Sequence, residues 1–186
     1  MQRALLGLLI FAACAEQPPA QPPVKGLGDR LQSFMGFDPE TQKYGCPICA
    51  RAGSPNLVLI GDTEAADFRA DLSAIDALAK AEPGLSAYAI STKRYGEDKA
   101  GGEAIRALRT SLGLTLPIIL VPADQAQFKK RGYIPFETLY PLAKQRTVLL
   151  TDADGKVVFW TELTPATVEA SLDRLQEQAK LLRQAL

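Results

Sequence analysis

The chain carries one Cys-x-x-Cys motif, in which Cys46 and Cys49 are separated by Pro47 and Ile48. Such a pair can close a small disulfide ring, exchange disulfides with a partner, or supply two ligands to a soft metal ion. The sequence contains no histidine, so catalytic triads that depend on an imidazole cannot be built. The cysteine pair is therefore the predicted place for covalent or redox chemistry.

The N-terminus predicts an export signal. Arg3 provides a positive start, and residues 4–13 form an apolar run that is too short to span a bilayer. Phe11-Ala12-Ala13-Cys14 resembles a bacterial lipobox, in which the cysteine becomes a lipidated N-terminus. The alternative is ordinary signal cleavage after small residues, which discards Cys14. We predict a signal peptide of the lipoprotein type over residues 1–14, with Cys14 as the lipidation site.

The predicted domain lies beyond a proline-rich linker. Residues 15–25 predict an extended, semi-rigid spacer, and residues 26–186 predict one folded domain. Either processing route places this domain outside the cytoplasm, in the periplasm or at the cell surface, where disulfides persist. The 21 basic and 21 acidic residues balance, so no nucleic-acid partner is expected, and membrane contact is expected only through the lipid.

Strand and helix patterns alternate from residue 57 onward. Apolar runs at 57–60, 85–90 and 118–121 predict buried strands. Two amphipathic helices are predicted between these strands by the apolar residues Phe68, Leu72, Ile75, Leu78, Ile105, Leu108 and Leu112. The order of these elements predicts a parallel βαβαβ unit.

The last part of the chain predicts a hairpin and a helix. Runs at 147–150 and 157–160 flank a turn that contains Asp154 and Gly155. Thr164-Pro165 predicts the start of the final helix. Its apolar stripe, predicted to pack on the sheet, contains Val168, Leu172, Leu175, Ala179 and Leu182.

This order of elements resembles the thioredoxin-like superfamily, particularly its peroxiredoxin and extracytoplasmic thioredoxin-like branches. The resemblance covers about residues 57–182, and its best local matches are Ala89-Ile90-Ser91, residues 117–121 and residues 146–152. It implies a thioredoxin-like three-layer α/β/α sandwich with a mixed central sheet and a C-terminal β-hairpin plus helix. Fold alone does not fix function.

The sequence departs from the family pattern at the active site. Thioredoxins place their Cys-x-x-Cys after the first core strand, where the next helix begins; here Asp62-Thr63-Glu64-Ala65 occupies that place. The peroxiredoxin nucleophile is absent from the same region, so the resemblance implies no peroxidase activity. Arg146 stands where the family carries a cis-proline before the hairpin strand.

The cysteines instead precede the first core strand. A motif at the start of that strand belongs to the opposite end of the sheet, unless residues 50–56 fold it back over the sheet edge. Gly53-Ser54-Pro55 prevents a regular helix after Cys49, so the nearest cation that could assist a thiolate is Arg51.

Two functions follow from this pair. The first is an extracytoplasmic thiol-disulfide oxidoreductase for protein thiols and disulfides, in which Cys46 attacks and Cys49 resolves the mixed disulfide; Cys-Pro-x-Cys recurs in glutaredoxin-like and disulfide-oxidising members of the superfamily. The second is a redox-inert binding module with its cleft near 62–65 and a structural disulfide, which contributes about 2 kcal/mol of chain entropy. No metal or cofactor is expected, because no spacing joins Asp38 or Glu40 to the cysteines as ligands.

Several charged residues allow a structural or a catalytic interpretation. Asp67 with Asp71 predicts a solvated helix face, and Asp152 with Asp154 predicts a turn. Arg146 is either an exposed cation at a strand edge or a group near a reactive centre. A further segment, residues 24–44, has Leu27, Leu31, Phe34 and Met35 at helical spacing, and either packs on the sheet or presents the motif to a partner.

Overall fold

The computed structural model describes residues 22–141 and 146–184. The predicted signal peptide, the lipidation site Cys14 and most of the predicted linker lie outside the described residues. Within the described ranges, no helix has the length and apolar character needed to cross a membrane.

Seven strands and five helices are described. The strands are β1 (Gly36–Asp38), β2 (Lys43–Gly45), β3 (Asn56–Gly61), β4 (Ser86–Ser91), β5 (Ile118–Leu120), β6 (Arg146–Thr151) and β7 (Val157–Glu162). The helices are α1 (Ala66–Ala81), α2 (Asp98–Leu112), α3 (Ala126–Lys129), α4 (Phe136–Leu139) and α5 (Val168–Gln184), and a 3₁₀ turn covers Cys49–Arg51.

The strands form one mixed sheet in the order β2-β1-β5-β4-β3-β6-β7. Strands β3, β4 and β5 are parallel, whereas β6, β7 and the β1–β2 hairpin add antiparallel pairs on either side. The predicted βαβαβ unit, the C-terminal hairpin and the final helix are confirmed. The β1–β2 hairpin is an addition that the sequence did not predict.

The two faces of the sheet are covered differently. Helices α1, α2 and α5 pack on one face, around a core that includes Leu59, Leu72 and Leu175. The connections β3–α1–β4 and β4–α2–β5 step across the sheet in the same direction, so right-handed crossovers place both helices on that face. The other face is covered by the N-terminal segment and α4, with Phe34 and Tyr140 in its core.

Of the two alternatives for residues 24–44, packing on the sheet is the one observed, since Val24 and Phe34 lie in the core of its second face. The segment forms strands and turns and no helix, and Leu27 is exposed. The chain turns after β1 because the Asp38 carboxylate accepts hydrogen bonds from the Glu40 N–H (2.9 Å) and the Thr41 hydroxyl (3.0 Å). This Asx-type turn closes the hairpin and sends β2 directly into the cysteine motif.

Two details of the C-terminal part concern predicted elements. The hairpin turn is confirmed, since Gly155 has a φ of 77° and the Asp152 carboxylate accepts the Lys156 N–H at 2.9 Å. Helix α5 begins at Val168, after a turn in which the Thr164 N–H and hydroxyl bond to the Thr167 hydroxyl and the Val168 N–H donates to the Thr164 carbonyl oxygen. Four of the five residues of the predicted stripe, Leu172, Leu175, Ala179 and Leu182, pack in the core beneath the sheet.

Asp76 fastens α1 to the chain that enters β5. Its buried carboxylate accepts the backbone N–H groups of Thr115 (3.0 Å) and Leu116 (2.7 Å) and pairs with Lys80 at 2.5 Å. Burial raises the pKa of Asp76, but the hydrogen bonds from Lys80, Thr115 and Leu116 outweigh it and lower that pKa. The ionised carboxylate therefore stabilises the fold.

We expect Asp76→Asn to lower the free energy of unfolding by about 1–3 kcal/mol at neutral pH, because the amide loses the charged partner of these donors. The folded-state pKa lies below the unfolded value of about 3.9, so this stabilisation is present above that value and is lost as pH falls through the folded pKa. Urea unfolding at neutral and acidic pH measures the difference between wild type and variant. Asp173→Asn, at an exposed carboxylate of α5, is the control, and an equal loss at all pH values would contradict the assignment.

Candidate functional site

The cysteine motif leaves the sheet at the end where the parallel strands finish. One row of paired residues crosses the sheet through Tyr44, Phe37, Leu120, Ser91 and Gly61. Cys46 follows two residues after Tyr44, and so begins at the same end as Asp62. Four strand spacings, about 19 Å at the usual distance between strands, separate β2 from β3. The motif therefore starts at the end used by thioredoxins, but at the far edge of the sheet.

The chain then folds back over the second face of the sheet. Pro47 is buried and Ile48 packs against the core of this face. The 3₁₀ turn ends at Arg51, Ala52 is extended, and β3 starts at Asn56. Of the two routes that the sequence left open, the fold-back over the sheet is the one observed, and no regular helix follows Cys49, as predicted.

Cys46 and Cys49 form a disulfide whose sulfurs have different surroundings. The Cys46 sulfur is half-buried and accepts a hydrogen bond from the Cys49 N–H at 3.0 Å. Cys49 is exposed, and the Ser33 hydroxyl, 3.4 Å from its sulfur, is the donor because a disulfide sulfur carries no hydrogen. A backbone donor on Cys46 favours the negatively charged thiolate there after reduction.

A groove of about 490 Å³ lies beside the disulfide and is lined by Cys46. Asp38 and Glu40 line the same groove as Cys46. Glu40 forms an ion pair with Arg109, and Asp38 holds the hairpin turn. Within residues 22–141 and 146–184, no group of three or more histidine, cysteine, aspartate or glutamate side chains is arranged to hold a metal ion.

Arg51 supports the fold-back loop. Its Nη1 donates to the Pro47 carbonyl oxygen at 2.9 Å, and its guanidinium lies 4.5 Å from the centre of the Tyr88 ring. Burial raises the pKa of Tyr88 well above its usual value, while the Arg51 charge lowers it. Arg51, the cation predicted to assist a thiolate, thus contacts the loop backbone at Pro47 and the Tyr88 ring.

The residues in the usual thioredoxin position form a packed polar cluster. Thr63 is buried, with its hydroxyl 2.9 Å from that of Ser91 and 3.4 Å from that of Tyr95. The Arg69 Nε donates to the Thr63 carbonyl oxygen at 3.2 Å. These contacts hold the turn between β3 and α1 in one conformation.

The solvated-face interpretation of Asp67 and Asp71 is wrong for Asp71, whose side chain is 1% exposed. Arg146 Nε and Nη2 donate to its two oxygens at 2.6 and 2.7 Å, and Nη1 lies 3.1 Å from exposed Asp67. The exposed-cation interpretation of Arg146 is also wrong, since its side chain is 11% exposed. Hydrogen bonding to Asp71 raises the pKa of Arg146, although burial lowers it. The register places Arg146 opposite Gly61, beside the first turns of α1.

Tyr44 is a site residue that the sequence did not single out. Its hydroxyl donates to the Asp98 carboxylate at 2.7 Å, and its ring lies 5.2 Å from Phe37 and 5.0 Å from Phe128 between ring centres. Burial, followed by the hydrogen bond and the charge of Asp98, raises the pKa of Tyr44 to about 12. These contacts position β2, and with it Cys46. Distant pairing of this kind leaves no periodic signal in a sequence.

The comparisons with known proteins concern this fold. No protein-family model matches the sequence, and no curated protein matches it. Among solved structures, a peroxiredoxin-like protein from Aquifex aeolicus is 14% identical, with a TM-score of 0.61 over 87% of this chain and 89% of that one. A secreted disulfide oxidoreductase from Mycobacterium tuberculosis is 14% identical, with a TM-score of 0.57 over 80% of this chain and 95% of that one.

A third similar structure is the thioredoxin domain of a thiol-disulfide oxidoreductase from Bacteroides vulgatus. It is 15% identical, with a TM-score of 0.56 over 82% of this chain and 99% of that one. At these identities the similarity establishes the fold. The chain has the thioredoxin-like fold of the thiol-disulfide oxidoreductases and peroxiredoxin-like proteins.

The hydrogen bond between Tyr44 and Asp98 can be tested by titration of the Tyr44 hydroxyl. We expect Asp98→Asn to lower the pKa of Tyr44 from about 12 toward its ordinary value of 10.0, because the neutral amide no longer opposes formation of the phenolate. Ultraviolet absorbance titration follows the tyrosines, and Tyr44→Phe identifies the component that belongs to this residue. Glu97→Gln is the neighbouring control. An unchanged titration in Asp98→Asn would show that the carboxylate does not control Tyr44.

Proposed function

We propose that this protein is an extracytoplasmic thiol-disulfide oxidoreductase that uses the Cys46–Cys49 pair. The observation that carries the proposal is the accessibility of the disulfide, since Cys49 is exposed and Cys46 lines an open groove. Disulfide exchange requires a thiolate to reach a sulfur atom. A disulfide that only stiffened the loop would not need to be accessible and could equally well be buried.

The proposed chemistry is a reversible two-step exchange. In the reducing direction, the Cys46 thiolate attacks one sulfur of a partner disulfide, forms a mixed disulfide and releases the other partner sulfur as a thiolate, which takes a proton from water. The Cys49 thiolate then attacks Cys46. This step restores the Cys46–Cys49 bond and releases the second partner thiol. Two electrons pass from the cysteine pair to the partner, and the reverse sequence oxidises a partner dithiol.

The environment of the sulfurs supports these roles. Cys46 lines the groove, and the Cys49 N–H donates to its sulfur. After reduction, this donor would stabilise a negatively charged Cys46 sulfur, which is the species that attacks a disulfide. Cys49 is exposed to solvent next to Ser33 and is bonded to Cys46 in the disulfide.

The proposed location is the periplasm or the cell surface of a bacterium. Cys14 is the proposed lipid-bearing residue, and residues 15–25 are the proposed spacer between membrane and domain. Protein thiols and disulfides are the proposed partners. Metabolic labelling with a fatty acid tests the anchor, because Cys14→Ser should lose the label; equal labelling of both proteins would exclude lipidation at this residue.

Single-cysteine variants test the assigned roles. Cys46→Ser should abolish exchange, because the attacking sulfur is gone. Cys49→Ser should accumulate a covalent partner complex, because the mixed disulfide cannot be resolved. Non-reducing electrophoresis after acid quenching detects the complex, and the double serine variant is the blank. Trapping by Cys46→Ser in place of Cys49→Ser would reverse the two roles.

The reduction potential separates the enzyme from an inert binding module. We expect a value between about −120 and −270 mV, the range of exchanging disulfides. Equilibration of the purified domain with defined redox buffers, followed by thiol counting, measures it. A value below about −300 mV would mark a structural bond, and the binding-module hypothesis would then replace the enzyme.

A further inference from the structure

We propose that the free edge of β2, together with the groove beside Cys46, binds an extended polypeptide segment that carries the reacting cysteine. This inference rests on the proposed exchange activity and names the substrate class that the site accepts. The segment would pair with β2 as an added strand, and its cysteine would lie next to Cys46.

The first observation is the position of β2 in the sheet. It is the edge strand next to β1, and Lys43, Tyr44 and Gly45 are all exposed. The backbone of an edge strand presents hydrogen-bonding groups that an extended peptide can pair with. Cys46 follows Gly45 directly. Since residues of a strand are spaced about 3.3 Å apart, a peptide residue one or two positions beyond the partner of Gly45 reaches the level of Cys46.

The second observation is the glycine at position 45. A Cβ atom there would meet nothing within 4 Å, and Gly45 does not have the positive φ that requires glycine. Its neighbour across the strand pair differs, because a Cβ at Gly36 would lie 2.4 Å from the Ile119 Cγ2. Packing within the chain therefore explains Gly36 but not Gly45. Gly45 therefore leaves open space next to Cys46, where side chains of a segment paired with β2 can lie.

The third observation is the charge of the groove. Arg109 pairs with Glu40, and Arg51 is held by the Pro47 carbonyl oxygen and the Tyr88 ring. Lys43 stands directly across the strand pair from Asp38. The groove lining therefore carries two carboxylates and three cations, of which Arg109 is engaged by Glu40 and Arg51 by the Tyr88 ring. Charge this close to balance gives little attraction for a small anionic thiol, whereas a peptide backbone is neutral.

The binding test uses the oxidised protein and a short synthetic peptide of alternating threonine and valine with a central serine. Wild type should bind it, and Gly45→Val should weaken binding at least about tenfold, because the valine side chain occupies the open space at Gly45 that the bound peptide would fill. Gly96→Val is the matched control, since Gly96 also has open space around its Cβ and no positive φ, and does not line the groove. Equal affinities of wild type and Gly45→Val would overturn the inference.

The exchange test starts from the reduced protein and uses the same peptide with a central cysteine as a peptide-dimer disulfide, and bis(2-hydroxyethyl) disulfide as a small linear disulfide. Gly45→Val should slow exchange with the peptide about tenfold more than it slows exchange with the small disulfide, whereas Gly96→Val should keep both rates at the wild-type value. If the wild type exchanges with neither, the proposed function fails, while the serine peptide still decides whether the groove binds. Faster exchange with oxidised glutathione than with the peptide would make a small thiol the occupant and overturn the polypeptide assignment.

Amide hydrogen exchange of the wild-type protein gives a measurement that needs no variant. Bound serine peptide should slow the exchange of backbone N–H groups in β2. Protection at β7, the other edge of the sheet, would overturn the assignment of the binding edge.

Discussion

The path from β2 to β3 determines where this protein carries its cysteines. The two strands run in the same direction, because β2 is antiparallel to β1, and β1 is antiparallel to the parallel set β5-β4-β3. They lie four positions apart in the sheet. The connection must therefore run from the end of β2 back to the start of β3 and cross the intervening strands. It does so on the second face, where Pro47 and Ile48 are covered and Arg51 lies on Tyr88. This connection begins with residues 46–49, which the Cys46–Cys49 disulfide closes into a ring.

The same crossing explains how the two ends of the loop are held. At the edge, Tyr44 is fixed by Asp98 and by two aromatic rings. At the core strand, the Asn56 side chain donates to the Ser54 carbonyl oxygen at 2.7 Å, and its backbone N–H donates to the Thr151 hydroxyl at 3.1 Å. The cysteine pair thus lies on a short loop that is anchored on both sides. A rigid support of this kind is what a positioned reactive group needs.

Buried polar contacts hold the turn between β3 and α1 and the start of β6. Thr63 is buried among hydroxyl groups, and Arg146 donates two hydrogen bonds to Asp71 on α1. This ion pair joins the start of β6 to α1. Separating the two elements would leave the Asp71 charge buried without its partner, which is unfavourable. The chemistry proposed for the cysteines lies about four strand spacings away. Fold and site are separable here, as they are in other proteins with widely used folds.

The local elements could be predicted from the sequence, because apolar periodicity and turn residues act within a few positions. They include the βαβαβ order, the Asp154-Gly155 hairpin, the stripe of α5 and the interruption after Cys49. The contacts between distant residues became visible only in the folded structure. Asp71 meets Arg146 across 75 positions, Tyr44 meets Asp98 across 54, and Cys46 meets the groove through the pairing of β2 with β1. Such contacts depend on strand order and register, which a single sequence does not encode in any local pattern.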